Sequence, residues 1–504
     1  MTAKTKDPMP VSTMTELQID TSSIDSYRQF LAVRRCPSYR FRGSVAVVPD
    51  EYAAQIIGKK HRRATAKYSP SPFLFDYQRD ITRLAITKKR FAAFVECGLG
   101  KTLMLLEFAR HAAATTGKPV LIVSPLMVVG QTCQEAERFY PGIEIQRLDS
   151  GDVSLWLEVG SGIAITNYEA FNNPLNGQRL GGMVIDESSM LKSHYGKWGQ
   201  GIIECGAGVE YKLALTGTPA PNDRIEYANH AVFLGACRTV NEFLARYFVN
   251  RGQTDNRWEL KPHALGPFYR DLSHWCIFLS DPSVYGWKDN AGKIPPINVH
   301  IHRVDLTAHQ RKAVRDTTGT LFVGSIGGIG QRGKLGQIAK GSFQGESIDT
   351  NKPAFIRGLV ESWPERSTLI WCKYNDEQDL LAATMPEAAN IDGSTPLAKR
   401  AQLIDAFKRG EIKTLISKPK ILGFGLNLQR ATKQIFSTLQ DSYEEYWQAV
   451  KRSNRVGSTE PLDVHIPLTE VEEPMVQNVL RKAAMVEADT AEQQRIFREM
   501  AWTF

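Results

Sequence analysis

The seven cysteines are scattered through the 504 residues, and no two of them form a CxxC pair. That argues against a zinc ribbon and against a disulfide-stapled scaffold, and leaves reduced thiols as the simple reading. Long apolar runs are missing as well. No stretch approaches the roughly 18–20 apolar residues that a membrane-crossing helix needs, so no membrane partner is expected. The opening MTAKTKDPMP is polar and has no apolar h-region, so no secretory leader is expected. No short-period repeat is visible. The net charge is a modest +8, but it is unevenly spread, because residues 1–70 hold 12 Lys/Arg against 6 Asp/Glu. A basic end segment suits contact with a polyanion.

Hydrophobic residues make up 42% of the chain, enough for more than one buried core at this length. From about residue 73, short apolar runs alternate with helical periodicity. AAFVE precedes TLMLLEFARHAA, VLIVS precedes VVGQTCQEAERF, and GIAIT, GMVID and YKLALT follow. A second series starts after residue 350, with TLIWC, KTLIS, KQIFST and VHIPLT. Strands alternating with amphipathic helices imply parallel pairing, so the fold class is α/β with two layered domains. The expected division is a basic arm or accessory module over 1–70, a first α/β lobe over 71–240, a distinct middle over 241–350, and a second lobe with a C-terminal helix over 351–504. The stretch GSIGGIGQRGKLGQIAKG at 324–341 reads as a loop followed by a helix. His300 and His302 stand two apart on an apparent strand. Without Cys or acidic company they read as strand residues rather than metal ligands.

The strongest local signal is ECGLGKT at 96–102, placed between an apolar strand and a helical run. Gly98, Leu99 and Gly100 form a loop whose glycines turn backbone N–H groups toward one point, and a helix N-terminus follows. That is a cradle for phosphate oxygens. Lys101 would reach the β- and γ-phosphates, and the Thr102 hydroxyl would bind magnesium. The usual first glycine of the pattern is Val95 here. VIDESS at 184–189 ends an apolar run in two carboxylates. Asp186 would hold the Mg2+ and Glu187 would orient or deprotonate the attacking water, a division that suits phosphoryl transfer. LALTGTPAPN at 213–222 places the hydroxyls of Thr216 and Thr218 on a tight Gly-Pro turn, where they can couple the acidic site to bound nucleic acid.

In this order the motifs resemble those of superfamily-two helicases, and among them the Swi/Snf-like DNA translocases. The resemblance covers roughly residues 73–490. FDYQRD at 75–80 is similar to the family's adenine-reading motif, with Gln78 as the contact. PLMVVGQ at 125–131 and ITNYEAF at 165–171 resemble its DNA-backbone motifs, which implicates Pro125, Thr166 and Asn167. IDGSTPLAKRAQLIDAF at 391–407 resembles the segment whose Gly393-Ser394-Thr395 turn approaches the phosphodiester chain. GFGLNLQRA at 423–431 resembles the cleft-lining motif that contains Gly425. QAVKRSNRVGS at 448–458 resembles the arginine motif, with Gln448, Arg452, Arg455 and Gly457 in place. Arg452 and Arg455 are three apart, so on a helix they would share a face. Arg455 is the expected arginine finger and Arg452 a neighbouring phosphate or acidic contact. The acidic motif ends in Ser189 where the family more often has His or Gln, and SKPK at 417–420 replaces a more usual Ser-Thr-Arg-Ala stretch.

The resemblance implies two tandem RecA-like domains with helical insertions, ATP with Mg2+ as cofactors, and double-stranded DNA as a partner read without sequence preference. A compact bacterial or phage-type member is expected, monomeric and cytoplasmic. Arg332, Lys334 and Lys340 are further candidate DNA contacts in the middle region. Two other readings share these motifs: a helicase that separates strands of DNA or RNA, and a DNA-binding or annealing protein whose nucleotide only regulates attachment.

Overall fold

The computed structural model describes residues 14–20, 23–57, 68–192, 196–252, 258–288, 294–318, 329–422, 426–439, 442–455 and 457–500. It divides into two units, Met1–Asn290 with Val486–Phe504, and Ala291–Met485.

The first unit is built on a seven-stranded sheet. Its order is Cys276–Leu279, Arg90–Val95, Tyr211–Thr216, Gly182–Ile185, Val120–Ser124, Ile163–Asn167 and Ile145–Arg147. Every pairing in it is parallel. Parallel strands need crossover helices on the faces, which is why these runs are apolar throughout rather than alternating. Arg90–Val95 and Val120–Ser124 are buried at every position. The core joins the sheet to flanking helices through Phe94, Leu121, Ile185, Phe233, Phe268 and Trp275.

The second unit holds a six-stranded parallel sheet, ordered Ile297–Arg303, Leu462–Leu468, Ala431–Phe436, Ser367–Trp371, Thr414–Ser417 and Ala389–Ile391. Its core includes Ile356, Ile370, Leu381, Ile416 and Ile435. The four strands read from the second sequence series are all present. Two α/β sheets, each flanked by helices, match the expected fold class.

The expected boundaries shift. Of the two readings offered for the N-terminal segment, arm or accessory module, residues 14–57 take the second, with a three-stranded antiparallel sheet and two helices. Helices Val240–Tyr247 and Leu265–Trp275 bury Phe243, Leu244, Phe268 and Leu272 in the first unit's core, so they do not belong to a separate middle region. The strand Cys276–Leu279 lies beside the strand that feeds the phosphate-type loop. It escapes a sequence reading because four apolar residues after a helix look like the helix's own tail. Strand Ile297–Arg303, which carries His300 and His302, is the edge of the second sheet. His302 Nε2 lies 2.9 Å from His465 Nδ1, and His300 stacks on His465 at 4.7 Å.

Helices Ala308–Thr318 and Ile329–Ala339 pack through Ala313, Val314, Leu335 and Ile338. This corrects one expected DNA contact. Lys340 is 4% exposed, and its ammonium donates to Glu472 Oε1 at 2.6 Å and to the Gly336 carbonyl at 2.9 Å. Lys352 donates to the same carboxylate at 2.9 Å. Burial alone would raise the Glu472 carboxyl, but the two ammoniums bring it down to about 2. Lys340 is therefore an internal ion-pair partner. Lys334 is exposed and Arg332 is half-buried.

Candidate functional site

The loop at 96–100 joins the buried strand Arg90–Val95 to helix Lys101–Thr116. Gly98 and Gly100 have φ of +91° and +76°, a region that side-chain-bearing residues enter at a cost. A Cβ on Gly100 would also lie 2.2 Å from Gln78 Nε2, so a larger residue there would displace the Gln78 amide. The N–H groups of Glu96, Cys97 and Leu99 are taken by the Leu279 carbonyl, Glu96 Oε1 and the Glu96 carbonyl, and the loop leads into the N-terminus of a 16-residue helix, which favours an anion.

Lys101 donates to the Val95 carbonyl at 3.1 Å. Burial works to lower its pKa, but the negative charge that Cys97 carries when ionised and the carboxylates of Glu187, Asp186 and Glu96 outweigh that and hold it raised. The acidic pair sits at the C-terminal end of strand Gly182–Ile185. Asp186 is 7% exposed and accepts Ser124 Oγ at 3.0 Å. Burial first, and then the neighbouring Glu187 charge, push its carboxyl up to about 7. Glu187 has φ of +49°, which costs an L-residue about 1–2 kcal/mol. The Tyr168 hydroxyl donates to the carbonyls of Asp186, at 2.6 Å, and Glu187, at 3.2 Å, and so holds this strained step. Thr216 Oγ1 donates to Glu187 Oε2 at 3.2 Å and accepts from Thr218 N at 3.2 Å. The TGTP turn is therefore wired directly to the acidic pair. Ser188 Oγ lies 3.0 Å from His230 Nε2, and burial lowers that imidazole to about 4, so it is neutral. Ser189 Oγ donates back to the Glu187 carbonyl at 3.5 Å.

These residues suit a magnesium–triphosphate. Thr102, Asp186 and Glu187 offer hard oxygen donors, Lys101 offers an ammonium, and the loop and helix N-terminus offer N–H groups. Asp186 is a carboxylate that burial disfavours until a cation arrives. Gln78 is placed differently from a free base reader. Its Oε1 accepts from Phe75 N at 3.0 Å and its Nε2 donates to the Leu99 carbonyl at 3.2 Å. Tyr77 donates to the same carbonyl at 3.1 Å. Gln78 thus ties the FDYQRD helix to the phosphate-type loop.

The expected DNA contacts split by unit. Pro125, Thr166, Asn167, Thr216 and Thr218 are all buried. Thr166 gives its hydroxyl to the Leu148 carbonyl and is 0% exposed, so its side chain offers nothing to a surface ligand. Asn167 Oδ1 accepts from Ser150 Oγ and Glu169 N, which caps the turn after its strand. What reaches the surface beside Pro125 is Leu126 and Met127. In the second unit Gly393 and Ser394 are exposed. Asp392 Oδ1 there accepts from the N–H groups of Ser394 and Thr395 and from both hydroxyls, at 2.7–2.9 Å. Those bonds lower the Asp392 carboxyl and preset the turn.

The two arginines do not share a helix. Helix Tyr443–Val450 ends before them. Ser453 is held through its hydroxyl by Gln434 Nε2 at 2.8 Å, and Asn454 Nδ2 donates to the Pro295 carbonyl at 2.7 Å. The backbone N–H groups of Arg452, Ser453 and Asn454 still turn back onto Ala449 and Val450, so residues 451–455 run on as an irregular turn, and Gly457 follows at φ +92°. Arg452 is buried, and its carbonyl accepts from Leu428 N at 2.9 Å. Arg455 Nη1 donates to the Leu426 carbonyl at 3.5 Å, so it lies against the GFGLNL segment. Gly425 lies outside the described residues.

Sequence reading missed Ser124, Tyr168, His230 and Asp392. Tyr168 and Asp392 sit inside motifs that had been noticed, and their position next to named residues was the available signal. His230 offered none.

Two domain families match the chain: SNF2-related domain over residues 94–343, and Helicase conserved C-terminal domain over residues 351–457. Among curated relatives, a putative ATP-dependent helicase/translocase, YwqA of Bacillus subtilis, is 24% identical over 74% of this chain and 43% of its own length. The DNA annealing helicase and endonuclease ZRANB3 of Bos taurus is 22% identical over 78% of this chain and 38% of its own. The chain therefore spans less than half the length of these relatives. Among solved structures, a Sulfolobus solfataricus SWI2/SNF2 ATPase core in complex with dsDNA aligns with 85% of this chain and 96% of its own, at 20% identity and TM-score 0.40.

Proposed function

The chain belongs to the Snf2-like family of superfamily-two helicases, and from that premise we propose that it hydrolyses ATP to move along or remodel double-stranded DNA. The observation that carries the reading is the acidic pair beside Lys101. A buried aspartate raised by its glutamate neighbour stands opposite an ammonium at a glycine-built loop.

In this proposal the loop N–H groups and Lys101 hold the β- and γ-phosphates, and Thr102 and Asp186 hold magnesium. The ion, when bound, neutralises charge on the transferring phosphoryl group. Glu187, aimed by Thr216, orients the attacking water and accepts its proton. Arg452 and Arg455 are proposed as the cationic complement contributed by the second unit, with Arg455 on the γ-phosphate. The Thr216 bond to Glu187 supports a coupling between the TGTP turn and hydrolysis. The exposed Gly393-Ser394 turn, preset by Asp392, supports backbone contact with DNA that carries no sequence information. The domain division proposed follows the two units, with the module at 14–57 attached to the first. The localisation proposed is the cytoplasm of a bacterial or phage-infected cell.

The test is phosphate release across duplex DNA, single-stranded DNA, forked DNA and RNA, with triplex displacement run beside strand displacement. Stimulation by duplex with triplex displacement is expected. Equal stimulation by RNA, or unwinding without triplex displacement, would overturn the substrate assignment. Absence of any nucleic-acid-stimulated turnover would overturn the motor.

A further inference from the structure

The module before the first sheet has an inner face, an anchored side and an outer face, and the motor reading uses none of them. Strands Met14–Gln18, Val45–Pro49 and Arg40–Arg42 form its sheet, covered by helices Ile24–Arg35 and Asp50–Ile56. Ile19, Val33, Ala46, Val48 and Ala53 close its small core. A buried polar cluster fastens it to the first unit. Glu51 Oε1 lies 2.6 Å from Lys88 Nζ and 3.1 Å from His274 Nδ1, and the Tyr52 hydroxyl lies 3.0 Å from that same ring nitrogen. The module is thus held in a set orientation on the unit that carries Lys101.

Its outer face is unusual for a surface. Ile24, Tyr27 and Leu31 fall on one stripe of the helix and are 74%, 52% and 38% exposed. Four rings run in a row from Tyr27 through Phe30 and Phe41 to Tyr39, with centroids 6.2, 5.4 and 5.7 Å apart. The Arg34 guanidinium lies 5.9 Å from the Phe30 ring. Three arginines of the module have carboxylates: Arg28 with Asp25, Arg40 with Glu242 and Arg42 with Glu16. Arg34 and Arg35, both exposed in the last turn of the helix, make no ion pair among the described residues.

We propose that this face binds single-stranded nucleic acid, with unpaired bases stacking on Tyr27 and Phe41 and phosphates meeting Arg34 and Arg35. Phe30 and Tyr39 are half-buried against the module's core and back the two exposed rings, Tyr27 and Phe41; a duplex hides the faces of its bases, so stacking on those two rings needs strands that are apart. A guanidinium with no carboxylate matches a phosphate fork. An apolar peptide would be served by Ile24 and Leu31 and would leave both guanidiniums idle. The face is a second nucleic-acid site, separate from the duplex contacts proposed for the motor, and it would let the protein hold a displaced strand.

The test is fluorescence anisotropy of the full chain with a labelled oligo-dT, without nucleotide. Base stacking on a ring contributes enough that losing two rings weakens binding about tenfold or more. The Tyr27→Ala, Phe41→Ala double variant is expected to show that loss, while its duplex-stimulated ATPase stays within about twofold of the parent protein. Tyr27→Phe keeps the ring and is expected to bind like the parent. Arg34→Ala with Arg35→Ala is expected to weaken binding and flatten its salt dependence. Oligo-dT affinity unchanged in the double-ring variant would overturn the proposal and leave the face to a protein partner. An equal loss of duplex-stimulated ATPase would overturn it too, because the face would then belong to the motor's own track. The motor reading fails on different evidence, absent ATPase, so the two failures are distinguishable.

Discussion

Asp186 and Asp392 both follow the last residue of a parallel strand, one in each unit, and their carboxyls are shifted in opposite directions. Asp392 accepts four hydrogen bonds from the turn that follows it and sits below the ordinary range. Asp186 is buried beside a second carboxylate, with one hydroxyl, one backbone N–H and the charge of Lys101 favouring its ionised form, and still sits at about 7. The first is a carboxylate already satisfied by its own chain, and its work is to shape a turn. The second is left wanting a cation. The residue type and the place in the fold are the same, so the environment alone separates scaffold from chemistry.

The comparison breaks most readily at Lys101. Lys101→Ala should reduce duplex-stimulated phosphate release by about a hundredfold or more, whereas no change at Asp392 should approach that. Glu187→Gln should cut turnover by about a hundredfold while nucleotide binding, followed by a fluorescent analogue, stays within a few-fold. Equal loss of both would put Glu187 in binding rather than in the water's activation. Asp186→Asn sharpens the contrast through stability. A raised carboxyl holds its proton in the folded state after the unfolded chain has lost it. It therefore withdraws stability as pH rises from about 4 to about 7. In magnesium-free buffer at pH 8 the amide should raise Tm by a few degrees and flatten its fall with pH, although activity is lost. Asp392→Ala should do the reverse, lowering Tm by a few degrees and weakening duplex binding a few-fold, with nucleotide affinity untouched. A Tm gain there would erase the distinction.

The sequence was most legible where the chemistry is local. The phosphate-type loop needs a strand, two glycines, a lysine and a helix within a dozen residues, and all are consecutive. The two sheets were legible because buried parallel strands are apolar at every position. Legibility failed where the answer lay far along the chain. Lys340 looked like a surface cation because its carboxylate, Glu472, is 132 residues away. Arg452 and Arg455 looked helical because the residues around them are ordinary in a helix, and the partners that fix Ser453 and Asn454, Gln434 and Pro295, lie far along the chain. Thr166 looked available because a strand's end does not announce which of its residues the sheet has covered.

The carboxylate of Glu472 also bears on the order in which the second half of the protein can be made. Lys340 and Lys352 both turn inward, and the group that neutralises them leaves the ribosome 120 residues after the second of them. Until that segment emerges, the nascent half has only the Glu377 carboxylate to set against two inward-facing ammoniums, and closing over them would leave them short of one negative charge. The late-arriving glutamate is in this sense a keystone: the arch stands open through most of its synthesis and locks when the penultimate stretch is delivered.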